Sequence, residues 1–62
     1  MGSMSSDMRA WVEDVAVEFG FRRGAVEPLE AADDPNELCR FRVLGVVYLV
    51  EGGAISVESQ ER

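Results

Sequence analysis

The sequence predicts an α+β domain: one N-terminal helix packed on a three-stranded antiparallel β-meander. Three observations carry this. Leu38–Val43, Val46–Glu51 and residues 54–59 are short apolar runs rich in β-branched and aromatic residues. Leu44-Gly45 and Gly52-Gly53 separate them, and two-residue joints containing Gly between alternating runs signal hairpins. Residues 7–19 carry apolar side chains at helical spacing.

In the helix, Met8, Trp11, Val12, Val15, Ala16 and Phe19 project to one side, while Arg9, Glu13, Asp14 and Glu18 project to the other. Ser5, Ser6 or Asp7 is suited to cap its start. Gly20 stands where a left-handed stop is wanted, and Phe21 is placed to fold back onto Ala16. Arg22 and Arg23 follow, where positive charge complements the helix dipole. Trp11 reads as a core anchor from its position on the apolar side.

Residues 22–37 have no clear period and contain both prolines. Two forms are open for them. Pro28 can begin a helical turn through Leu29, Glu30, Ala31 and Ala32 that Pro35 ends. The same segment can instead be an edge strand with Pro28 unpaired. The helix-forming tendency of Leu, Glu and Ala favours the turn. Asp34-Pro35-Asn36-Glu37 reads as a tight turn before the first confident strand.

If both glycine joints are two-residue turns, the register follows. Val43 faces Val46, Phe41 faces Tyr48, Cys39 faces Val50, Val50 faces Ile55 and Tyr48 faces Val57. Side chains alternate between faces, so one face holds Cys39, Phe41, Val43, Val46, Tyr48, Val50, Ile55 and Val57. The other holds Leu38, Arg40, Arg42, Val47, Leu49, Glu51, Ala54, Ser56 and Glu58. A slip of one residue would mix the two sets. Leu44 suits a positive φ poorly, so Gly45 as a bulge in one long strand is the other form of that joint. The helix is expected to cover the apolar face.

The chain has 62 residues, which is one domain; Met1-Gly2-Ser3 reads as a cloning remnant ahead of Met4, leaving residues 4–62 as the domain. Chains this short bury only about 60% of their unfolded surface. Such a core leaves roughly 3–5 kcal/mol of stability, so a partner or a second copy is expected. A deep cleft does not fit in so small a body, which argues against an enzyme. One cysteine excludes an internal disulfide framework. With no histidine, Ser-His and Cys-His catalysis and most zinc sites are excluded. Cys39 lies on the apolar face and reads as a small buried side chain. Asp33-Asp34 lacks the ligand spacing of a calcium loop. Neither catalytic residues, nor a metal site, nor a cofactor is predicted. No signal peptide or membrane-spanning run is visible, and a bacterial host's cytoplasm is the expected location.

Net charge is −6, so bare nucleic acid and anionic membrane are poor partners. The acids form two groups: Glu13, Asp14 and Glu18 on the outer helix face, and Glu27, Glu30, Asp33, Asp34 and Glu37 between helix and strands. The second group contains no basic residue. One reading is a solvated surface. The sharper reading is a DNA mimic, in which these carboxylates occupy a basic nucleic-acid-binding groove of a partner protein. A further candidate interface is the second sheet face, where Arg40 and Arg42 stand beside Val47 and Leu49. There the alternatives are arginine stems lying over the sheet with cross-strand contacts to Glu51 and Glu58, a surface for self-association, or partial cover by residues 22–37.

This profile resembles the small acidic phage-encoded inhibitors of the anti-CRISPR type: a compact α+β body, no catalytic set, and external carboxylates at Glu13, Asp14, Glu18 and through residues 27–37. The resemblance implies a non-enzymatic protein that blocks a nucleic-acid-binding complex. The order helix, Glu18-Phe19-Gly20-Phe21, Cys39-Arg40-Phe41, then Val46-Val47-Tyr48-Leu49 also resembles the first half of a type III secretion chaperone. That likeness implies a homodimer binding through an apolar sheet face.

Overall fold

The structure is a computed structural model and describes residues 4–60. The tripeptide read as a cloning remnant lies outside the described residues. One helix, α1 (Ser6–Glu18), is followed by a 3₁₀ turn (Arg23–Ala25) and four strands: β1 (Glu27–Ala31), β2 (Leu38–Val43), β3 (Val46–Glu51) and β4 (Ala54–Gln60). The sheet is antiparallel with order β1-β2-β3-β4.

The α+β class is as predicted, with four strands in place of three. Residues 27–31 form an edge strand, not a helical turn. The reason is in the pairing: Pro28 sits opposite Phe41, and Glu27 and Glu30 sit opposite Arg42 and Arg40. Pro28 has no N–H to donate, which confines it to an edge. A bulge at Leu29 absorbs the irregularity and puts Ala31 on the same face as Pro28. Burial of Pro28 against the core outweighs the weak helix preference of Leu-Glu-Ala.

The caps of α1 follow from its sequence. The Met8 N–H donates to Ser5 Oγ at 3.2 Å. At the other end Gly20 adopts φ +102°. The Gly20 N–H reaches the Val17 carbonyl at 2.9 Å and the Phe21 N–H reaches the Ala16 carbonyl at 3.1 Å. This pair of bonds is a Schellman stop, and it turns Phe21 back toward the sheet. There the Phe21 ring meets Phe41 edge-on at 5.4 Å and Tyr48 at 4.8 Å.

The predicted register of β2 and β3 holds throughout, with Val43 opposite Val46 and Cys39 opposite Val50. Leu44 and Gly45 both take positive φ, 53° and 78°, so the chain reverses there in a two-residue turn; Gly45 is not a bulge. Gly52 and Gly53 make the second turn at φ 61° and 84°. The predicted pairing of β3 with β4 holds from Ala54 through Val57, and then Glu58 is inserted as a bulge before Ser59 pairs with Val47.

The buried core is Val12, Val15, Ala16, Val26, Cys39, Phe41, Val43 and Val50. Phe41 is fully enclosed. Trp11 is not a core anchor: it is 41% exposed. α1 packs against β1, β2 and the 3₁₀ turn. It therefore covers only half of the apolar sheet face that the pattern assigned to it. Because β1 joined the sheet, the helix centres on the β1–β2 side, and Val57 on β4 remains 55% exposed.

Candidate functional site

Seven of the eight acids predicted as one partner-binding surface fall into three places, and Glu18 stands apart in the last turn of α1. Glu13 and Asp14 lie at the corner between α1 and the 3₁₀ turn. Arg23 reaches both, donating to Glu13 Oε1 at 3.2 Å, to Asp14 Oδ1, and to the Ala10 carbonyl. The bond to Asp14, then that to Glu13, holds the Arg23 guanidinium above its ordinary pKa. Arg23 thus ties the outer helix face to the approach to β1, a more specific role than complementing a dipole.

Glu27 and Glu30 stand on the outer sheet face, where β1 brings them beside the arginines of β2. Arg42 pairs with Glu27 at 3.7 Å, and Arg40 pairs with Glu30 at 3.2 Å. Arg40 Nε also donates to Glu58 Oε2 at 2.9 Å. The Arg40 pKa is raised, first by Glu58 and then by Glu30. The outer face is thus a charge ladder across three strands. Beneath it Val47, directly opposite Arg42, is buried, and Leu49, opposite Arg40, is half-buried. Arginine stems over apolar side chains account for this, as the cross-strand alternative proposed.

The third place is the end of the sheet. No arginine pairs with Glu18, Asp33, Asp34 or Glu37 among the described residues. Asp33, Asp34 and Glu37 belong to the β1–β2 loop, which is closely built. Asp34 Oδ1 accepts from the Asn36 N–H at 2.9 Å, and the Asp34 carbonyl accepts from Glu37 and Leu38. Pro35 is buried below the turn. The Ala32 N–H bonds the Leu38 carbonyl, and the Gly52 N–H bonds the Glu37 carbonyl at 2.9 Å. This last bond brings the β3–β4 turn alongside, so that exposed Glu51, opposite Leu38, joins the same acidic end. Glu51 escaped the sequence reading as an acid of this surface, although the Leu38–Glu51 pairing already placed it there.

A depression of about 130 Å³ lies between β1 and β2, lined by Glu30, Ala31, Ala32, Leu38, Cys39 and Arg40. Sites for small molecules run to roughly 300–1,000 Å³. Burial pushes the Cys39 thiol up, which suppresses the thiolate. Among the described residues, no group of three His, Cys, Asp or Glu side chains is placed to hold a metal, and no helix is long and apolar enough to cross a membrane. The chain matches no protein-family model, no curated protein and no solved structure.

Proposed function

We propose that this chain is a non-enzymatic binding protein of the inhibitor type, which meets a basic nucleic-acid-binding surface of a partner protein with fixed carboxylates. It resembles in this the phage-encoded anti-CRISPR inhibitors. The observation that carries the reading is the β1–β2 loop. Asp33, Asp34 and Glu37 are exposed on a turn held by backbone hydrogen bonds and a buried proline, and no arginine pairs with them among the described residues. Carboxylates ordered in advance lose little entropy on meeting Lys and Arg of a target. The mimic surface is correspondingly smaller than the eight acids of the sequence pattern: Glu13, Asp14, Glu27 and Glu30 are engaged within the fold, while Glu18 adds to the free set. A homodimer through the outer sheet face, the alternative, has little apolar surface to use, because Val47 is buried and Arg40 and Arg42 are ion-paired above it.

The test is capture of a partner from a nuclease-treated bacterial lysate carrying a CRISPR system, followed by a DNA-binding assay on the captured complex. Salt-sensitive capture of one nucleic-acid-binding complex, whose DNA binding the protein abolishes, is the expected result. The variant Glu18→Gln, Asp33→Asn, Asp34→Asn, Glu37→Gln should lose the effect while melting like the parent; Asn at 34 keeps the side-chain oxygen that the Asn36 N–H needs. Undiminished inhibition by that variant would remove the acidic-surface reading.

A further inference from the structure

The two edges of the sheet differ. β1 is closed to further pairing by Pro28 and by the bulge at Leu29. β4 contains no proline, is bonded to β3 along one side only among the described residues, and is regular from Ala54 to Val57, ahead of its bulge at Glu58. The apolar face beside this open edge is also the half that α1 leaves uncovered: Val57 is 55% exposed and Ile55 and Tyr48 are half-buried. On the outer face the same edge carries Glu58, whose second oxygen is left over from the Arg40 bond, and Glu51 stands one strand further in, opposite Ala54.

We propose that β4 receives an extended, basic amphipathic segment of a partner protein as a fifth strand. Backbone groups of the segment would pair with the open side of β4. Its alternate apolar side chains would cover Ile55 and Val57, and its alternate Lys or Arg side chains would meet Glu58, with the long stems reaching toward Glu51 across β4. Charge selects this occupant over a second copy, which would set −6 against −6. The inference rests on the basic-partner reading above and adds where a segment of that partner binds.

The experiment is a titration of the isotope-labelled protein with a capped peptide of alternating Val and Lys, and with the same peptide N-methylated on alternate amides along one edge. The backbone amides report by NMR. Saturable shifts confined to β4 and its neighbours, lost on N-methylation and weakened about tenfold or more by Val57→Lys, are expected. Val57→Lys should fold, because the side chain is already half in solvent. Equal binding by the N-methylated peptide, or no binding at millimolar peptide, would overturn the strand. So would concentration-dependent β4 shifts without peptide, which would assign the edge to a second copy. Shifts centred on Asp33, Asp34 and Glu37 with β4 silent would also overturn it, yet leave the acidic-surface function standing, and the carboxylate variant tests that function separately.

Discussion

Leu44 is the one non-glycine residue with a positive φ among the described residues. It is 92% exposed and holds φ 53°, where a Cβ costs roughly 1–2 kcal/mol. The turn tolerates it because Val43–Val46 pairing on one side and Gly45 on the other leave no alternative geometry. Leu44→Asn should stabilise the domain by about 1 kcal/mol, and raise Tm by roughly 4–8 °C for a chain of this size. An unchanged or lower melting temperature would show that the left-handed turn carries no strain. Cys39 sets a pH limit. Its thiol titrates near 9.0 when free and higher in the fold, because burial opposes the charged form. The unfolded chain therefore loses this proton first. Stability is fully present below pH 9 and falls above it, by at most about 1.4 kcal/mol per pH unit for one proton. Alkaline denaturation of Cys39→Ala should show a shallower slope than the parent; parallel slopes would remove the assignment.

The helix and its stop behave as one unit with the aromatic cluster. Gly20 at φ +102° closes α1 and delivers Phe21 onto Phe41 and Tyr48. A Cβ added at Gly20 would meet nothing within 4 Å, so the cost of a side chain there is backbone strain alone. Gly20→Ala should destabilise by about 1 kcal/mol, and Gly20→Asn by less, since Asn tolerates left-handed backbone. Equal losses for the two would point to side-chain crowding, which the open space excludes. The helix, the Gly52-Gly53 turn and the β2–β3 register were legible because each is specified locally, by spacing and by residues with unusual φ. β1 was not. Its Leu-Glu-Ala segment has no period of its own, and its strand character comes from pairing with β2. Likewise the partners of Glu27 and Glu30 are Arg42 and Arg40, distant in sequence, so an arginine-free run of acids looked freer than it is.

Across the molecule, one small core carries the fold. Its rings are Phe21, Phe41 and Tyr48, with Phe41 wholly enclosed. Truncating a buried Phe costs about 3–5 kcal/mol, which equals the whole reserve of a domain this size. Phe41→Ala should therefore lack a cooperative thermal transition at 25 °C and above. A sharp transition in that variant would mean the core is larger than these rings. The open half of the inner face and the free β4 edge belong to the same economy of size, since one helix spans only part of four strands.

The sequence by itself determined the class, the Gly52-Gly53 hairpin, the faces of β2 and β3 and the negative charge, since period, glycine turns and composition are properties of neighbouring residues, while the structure settled Leu44-Gly45 as a turn. Only the tertiary structure decided which carboxylates are engaged and which are free, that Trp11 is exposed, and that among the described residues one sheet edge stays open. Those depend on where β1 docks, and docking is settled by burial of Pro28 and Ala31 against β2 and by ion pairs between residues far apart in the chain.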